Sequence, residues 1–322
     1  MKKRYIRDLL MVFIGIIICG IGIVLAESIQ SSEVLYDNSN SNTSNDNVQD
    51  VIDNLYDLYN HSGLGFTLLT RSPSGISTVL EGGLYRYQGV QDESHNVDNY
   101  ICFGTTNKSD CVSDADKYMY RIIGINEVGQ LKLIKKEALN TAYKWNSSSG
   151  VEWPNSDLYI GLNGSYFLTN TTYVPDSTWS DRIVNTIWYN GDIADASMSA
   201  LEMYNLESNL SNTINAKIGL MYMYDYDYGL PGGTNCGSMS NQMDCRTSWI
   251  HLANNDDSPP VSSYEWTITR LSNYYAWSMV NDGYLNKSEL TSYRSVRPVF
   301  FLRASEIIAS GNGTITDPYV LS

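Results

Sequence analysis

The stretch YMYRIIGINEVGQLKLIKKE (Tyr118–Glu137) decides the fold of this chain. Two runs rich in Ile, Leu and Tyr flank Glu127-Val128-Gly129-Gln130. Apolar runs of this kind around a short, glycine-bearing interruption predict a β-hairpin, with strands over Tyr118–Asn126 and Leu131–Glu137. Working outward, LYRYQGV (Leu84–Val90) alternates like a strand. Tyr264–Arg270, Trp277–Val280 and Val296–Arg303 read as further strands, and Lys217–Tyr226 as an apolar, Tyr-rich one. A tight turn at GNGT (Gly311–Thr314) precedes a short terminal strand, Tyr319-Val320-Leu321. Helices are expected at Asp157–Leu168, Asp181–Tyr189 and Met198–Ile214. Gly63–Gly83 is rich in glycine and reads as a linker. The body from Leu84 to Ser322 is thus expected to be α+β, strand-dominated, with two or three helices.

Ahead of the body lies LLMVFIGIIICGIGIVLA (Leu9–Ala26), uncharged throughout and preceded by Lys2, Lys3, Arg4 and Arg7. At ~1.5 Å rise per residue it reaches about 27 Å, close to a hydrocarbon core of ~30 Å. The basic flank predicts an N-terminus inside and the rest of the chain outside. Residues 1–26 read either as a retained membrane anchor or as a signal peptide cleaved after Ala26, where Val24 and Ala26 suit a peptidase. Residues 27–83 read as stalk and linker. Glu27–Asp46 is rich in Ser and Asn. Val48, Ile52, Leu55 and Tyr59 then make one helical stripe, predicting a stalk helix over 47–59.

The chain carries a formal net charge of −14. With four basic residues in the first seven positions, the exported part is more acidic still. Such a surface repels nucleic acid, so no nucleic-acid partner is expected. Outside the membrane, Cys102/Cys111 and Cys236/Cys245 are expected as two local disulfides. A metal centre is not: the body lacks C-x-x-C, and His95 and His251 are its only histidines. No cofactor is expected. Calcium is the one candidate, through Asp225-x-Asp227 or Asn254-Asn255-Asp256-Asp257, which bring oxygen ligands close together.

The chain holds 25 Tyr and 7 Trp among many Asn and Ser, a composition that supplies rigid amphipathic contact area with hydrogen-bonding partners. Trp249, His251, Asn254, Asn255, Tyr274, Tyr275 and Asn281 cluster late in the chain and are the expected ligand-binding residues. Trp266 and Trp277, inside strands, are expected in the core. No catalytic residue stands out. Neither His95 nor His251 sits in a recognisable motif, and no Gly-x-Ser-x-Gly or phosphate loop occurs.

Two resemblances add to this. Tyr36–Tyr59, with its NVQD-x-I core, resembles the NVQDAIDELY stalk element of phage tail fibres, which implies a possible homotrimer through the stalk helix. The motifs EWTITR (Glu265–Arg270), WSMVNDG (Trp277–Gly283), SVRPVFFL (Ser295–Leu302) and GNGTITDPYVL (Gly311–Leu321) resemble a family of exported surface proteins of Gram-positive gut bacteria. YRIIGI (Tyr120–Ile125) and KIGLMYMYDY (Lys217–Tyr226) fit it too. Their order is similar to that of C-type-lectin-like modules, including the formylglycine-generating-enzyme branch. The resemblance implies a C-type-lectin-like body whose terminal strands pair, Leu84–Val90 with Tyr319–Leu321. The reactive cysteine pair of that enzyme branch has no counterpart in Cys236 and Cys245. The expected function is a cell-surface adhesin or ligand-binding module for a glycan or another surface protein. The alternatives are an extracellular glycan hydrolase, which needs two convergent carboxylates, and an envelope component without a soluble ligand.

Overall fold

The computed structural model describes residues 64–91, 97–209, 212–237, 242–252 and 262–322. Its helices are α1 (Leu64–Arg71), α2 (Lys108–Ser113), α3 (Ala115–Tyr118), α4 (Asp157–Leu162), α5 (Ser177–Asp181), α6 (Ala200–Ser208), α7 (Met223–Asp227) and α8 (Gln242–Thr247). Its strands are β1 (Ile76–Glu81), β2 (Leu84–Tyr87), β3 (Tyr100–Cys102), β4 (Met119–Asn126), β5 (Leu131–Lys135), β6 (Tyr143–Lys144), β7 (Thr186–Tyr189) and β8 (Thr213–Ala216). They continue with β9 (Ile218–Gly219), β10 (Tyr264–Arg270), β11 (Tyr275–Val280), β12 (Leu285–Glu289), β13 (Tyr293–Arg294), β14 (Val299–Leu302), β15 (Ile308–Ser310) and β16 (Val320–Leu321). The fold is α+β with strands dominating, as expected, but the described residues hold eight helices rather than two or three, six of them only four to six residues long.

The hairpin read from Tyr118–Glu137 is β4 and β5, at the centre of an antiparallel sheet ordered β1-β2-β4-β5-β14-β9. Strands β2 and β3 share β4: β2 pairs with its C-terminal half and β3 with its N-terminal half. All of β5, and all of β4 except Asn126, is buried. Elements cover both faces of these strands, so they read as nearly continuous apolar runs rather than a strict alternation. A second sheet, β10-β11-β12, carries the EWTITR motif. One core cluster spans both, with Trp266, Ile268 and Met279 from the second sheet; within it Phe300 meets the rings of Phe103, Tyr120 and Phe167.

Gly63–Gly83 differs from the linker expected there. Leu64 and Leu68 of α1 are buried, and the Leu64 N–H donates to the Ala304 carbonyl at 2.8 Å. A Cβ at Gly65 would stand 2.4 Å from Ile125 Cγ2, so glycine lets α1 close onto the central hairpin. Gly82 and Gly83 have φ of 55° and 75° and form the two-residue turn between β1 and β2. The folded body therefore includes residues ahead of Leu84, and these glycines serve packing and a turn.

Four other segments differ. The expected helix Asp157–Leu168 is α4, which ends at Leu162 with Asn163 as its C-cap. The expected helix Asp181–Tyr189 is α5 ending at Asp181, followed by β7, because Thr186-Ile187-Trp188-Tyr189 pairs with β8. The stretch Met198–Ile214 holds the shorter α6, with a Ser199/Glu202 capping box, and then the start of β8. Of Lys217–Tyr226, only Ile218–Gly219 pairs as a strand. The Asp225 carboxylate accepts the Tyr222 N–H and starts α7 instead. The chain end also pairs differently. Tyr319 exchanges backbone hydrogen bonds with β3 (Tyr319 N to Tyr100 O, Cys102 N to Tyr319 O), while β2 lies between β1 and β4.

Both cysteine pairs are disulfide-bonded as expected: Cys102–Cys111, closing the loop after β3, and Cys236–Cys245, bridging the segment after α7 to α8. The apolar run Leu9–Ala26 and the stalk helix at 47–59 lie outside the described residues. Among the described residues, no helix is long and apolar enough to cross a membrane.

Candidate functional site

A cleft opens between the β1–β2 turn, the β4–β5 turn, β7 and the residues around α7. Three strands build its floor. Arg86 on β2 stands directly across from Gly124 on β4, and Gly124 directly across from Lys132 on β5. Direct cross-strand partners share a face, so two cations flank a residue without a side chain. A Cβ at Gly124 would stand 2.7 Å from the Tyr85 carbonyl oxygen.

The Asp225 carboxylate of α7 bridges the two cations. Arg86 Nη1 donates to Oδ1 at 2.7 Å and Lys132 Nζ to Oδ2 at 2.6 Å. The Tyr222 N–H donates to Oδ2 at 3.0 Å. All three side chains are buried, at 1%, 2% and 0% exposure. Burial works against the charge on Asp225, but Lys132 and Arg86 outweigh it and hold the carboxyl below its usual range. Burial pulls Lys132 down, with Asp225 opposing.

Aromatic rings wall the cleft. Tyr222 and Tyr224 stack at 4.9 Å with planes 9° apart, Trp188 lies against Tyr222 at 6.1 Å, and Tyr204 of α6 meets Tyr224 edge-on at 5.5 Å. Lys132 Nζ lies 4.8 Å from the Tyr222 ring centre, and the Arg86 guanidinium lies 4.5 Å from that of Tyr228. Burial raises the Tyr222 and Tyr224 hydroxyl pKa values, so both stay neutral. The cleft encloses about 150 Å³. A benzene-sized ring fills a cavity of about that volume.

Two carboxyls near this site differ in role. Exposed Glu127, at the rim, is the one carboxylate among the lining residues. Glu207 of α6 is buried behind the floor, where burial pushes its carboxyl up to about 8, against the hydrogen bond from Thr269 Oγ1 at 2.6 Å. The cleft therefore lacks the convergent carboxylate pair that glycoside hydrolysis uses.

The expected late aromatic face is not brought together. Trp249 is fully buried; its Nε1 donates to the Tyr87 carbonyl at 2.9 Å, and Arg121 stacks over its ring. His251 is buried, with Nε2 2.9 Å from the Val280 carbonyl oxygen; burial lowers it to about 4. Neither can reach a ligand at the surface. Tyr274 is 64% exposed and Tyr275 half-buried, at the β10–β11 turn. Asn281 follows the opposite end of β11, about 17–20 Å away at ~3.3 Å per residue. Asn254 and Asn255 lie outside the described residues, as do Asp256 and Asp257. Trp266 is core as expected, while Trp277 is half-buried with Nε1 donating to the Ile193 carbonyl.

Asp225-x-Asp227 does not suit calcium. The Asp225 oxygens are taken by two cations and an N–H. Burial raises the Asp227 carboxyl well above its usual range, and its Oδ1 accepts the Cys236 N–H at 2.8 Å. Among the described residues no group of three or more His, Cys, Asp or Glu side chains could hold a metal ion.

The sequence signals for the cleft were weak. Arg86 and Lys132 are two of 21 basic residues, 46 positions apart, and only strand register places them around Gly124. The one local signal is the run MYMYDY, whose Tyr222, Tyr224 and Asp225 belong to this site, while Tyr226 lies by Glu265 and Arg297. Comparison of the chain with protein-family models, with curated proteins and with solved structures found no match.

Proposed function

We propose that this chain is a cell-surface or secreted ligand-binding protein, an adhesin or binding module. Its C-type-lectin-like body recognises a glycan terminus in the Arg86/Lys132 cleft. The observation that carries this reading is the combination of stacked tyrosines and a hydrogen-bonding floor in a space sized for one ring. The half-buried lining rings of Tyr189, Tyr204 and Phe301 offer apolar area to the C–H face of a sugar, and buried charged donors fix its orientation. Two local disulfides suit an oxidising compartment. The basic, then apolar, first 26 residues supply either an anchor or an export signal. The single lining carboxylate favours binding over hydrolysis.

The test is a glycan array probed with the full chain and with Tyr204→Ala, a wall residue of the cleft. Retention of a glycan by the parent, weakened about five- to a hundred-fold or more in the variant at unchanged melting temperature, supports the reading. A parent that retains no glycan, or a variant that binds like the parent, overturns it.

A further inference from the structure

We infer that the cleft selects a sugar ring bearing a carboxylate, such as a uronic or sialic acid, over a neutral sugar. This rests on the ligand-binding reading of the same cleft and adds the ligand's charge.

The argument is a count of charges and donors. Two buried cations, Arg86 and Lys132, face one buried carboxylate, Asp225. Glu207, buried behind the floor, forms no ion pair or hydrogen bond with either cation among the described residues; burial raises its carboxyl to about 8. Its Oε2 has no hydrogen-bond partner among the described residues. Asp225 has already accepted a hydrogen bond from each cation and from the Tyr222 N–H. Asp225 is also the one hydrogen-bond acceptor that Lys132 Nζ meets among the described residues. The remaining ammonium protons face rings, with Tyr222 at 4.8 Å and Trp188 and Phe301 at 6.0 Å. Arg86 spends Nε and Nη2 on the carbonyls of Glu81 and Gly82 in the β1–β2 turn, which hold it in place.

Two cations thus share a single contacting carboxylate at the cleft floor, in a site where burial strengthens electrostatic interactions. A ligand carboxylate reaching Lys132 would supply both the missing charge and the missing acceptor. The inner part of the cleft, about 150 Å³, has room for one ring. The overall charge of −14 repels a polyanion. The favoured ligand is therefore an isolated acidic residue at a glycan end, rather than a run of them.

The experiment is calorimetric titration of the full chain with methyl glucuronide, N-acetylneuraminic acid, methyl glucoside and benzoate. Lys132→Met, which keeps the length and apolar stem of the side chain, serves as the variant. Charge-assisted hydrogen bonds of this kind predict about ten- to a hundred-fold tighter binding of one or both sugar acids than of methyl glucoside. The preference should vanish in Lys132→Met. Because the parent comparison needs no variant, a misfolded Lys132→Met would not protect the inference. Binding of neither sugar acid more tightly than methyl glucoside overturns the charge selection and leaves the glycan reading standing. Absence of binding by any of the three sugars overturns both. Benzoate binding as tightly as the sugar acids overturns the assignment to sugars.

Discussion

Arg297 and Glu265 form a two-pronged ion pair in the interior: Nε donates to Oε1 at 2.8 Å and Nη2 to Oε2 at 2.9 Å, with both side chains buried. Arg297 belongs to the SVRPVFFL motif and Glu265 to EWTITR, so the pair ties β10 to the segment entering β14. Nη2 also donates to the Ile250 carbonyl at 2.6 Å, which draws in the chain after α8. Removing one partner leaves a buried charge uncompensated, at a cost of about 3–5 kcal/mol. Glu265→Leu and Arg297→Met should each lose that much in urea unfolding, and the double variant should recover a large part of it. A double variant as unstable as the sum of the singles would show that the two act independently.

Trp249 and Tyr274 should separate in a thermal melt. Trp249→Ala empties a fully buried site and abandons the hydrogen bond to Tyr87, so a loss of about 3–5 kcal/mol is expected. Tyr274, 64% exposed, should melt within about 0.5 kcal/mol of the parent when cut to Ala. Comparable melting of the two variants would contradict the burial described for Trp249.

Stability should respond to pH with two opposing slopes. Glu207 has a folded pKa raised from 4.5 to about 8 by burial, so between these values the folded state holds a proton that the unfolded state has lost. Its contribution is fully present below about 4.5 and declines as pH rises toward 8. His251 has a folded pKa lowered from 6.5 to about 4, by burial first and then by Arg297 and Arg246. Its contribution is present above 6.5 and is lost as pH falls toward 4. Denaturation of Glu207→Gln from pH 5 to 8 should show a shallower alkaline decline than the parent. His251→Gln should show a shallower acid decline. An unchanged alkaline slope in Glu207→Gln would mean that Glu207 is ionised in the fold.

Non-reducing peptide mapping should recover Cys102–Cys111 and Cys236–Cys245 as linked fragments. Each bridge spans a sequence separation of 9. On the chain-entropy model a loop of about ten residues contributes about 2–3 kcal/mol, so replacing either pair by serine should lower stability by that amount. Crossed pairing, or free thiols in exported material, would contradict both the connectivity and the oxidising compartment.

The sequence by itself determined the features that depend on neighbouring residues. The hairpin β4–β5 followed from two apolar runs around a glycine-bearing turn, and β10 was read with its end points intact, because strand and turn preferences act over a few residues. Spacing alone also paired the cysteines, since each bridge is local. Where glycine was taken as a sign of a linker, the inference failed. Gly65 is needed for close approach to Ile125, and the backbone at Gly82 and Gly83 requires positive φ, which only contacts and dihedrals reveal. Segments such as Thr186–Tyr189 and Met223–Asp227 likewise took their state from partners distant in the chain, β8 for one and the Asp225 cap with its two cations for the other. The candidate site belongs wholly to tertiary structure. Trp249 and Tyr274 look alike as aromatic residues in polar loops, yet one is sealed beneath Arg121 and the other faces water. Arg86, Gly124, Lys132 and Asp225 become one site only because strand register aligns the first three and α7 delivers the fourth. Register is set by long-range pairing, and a shift of one residue would turn both cations to the opposite face of the sheet.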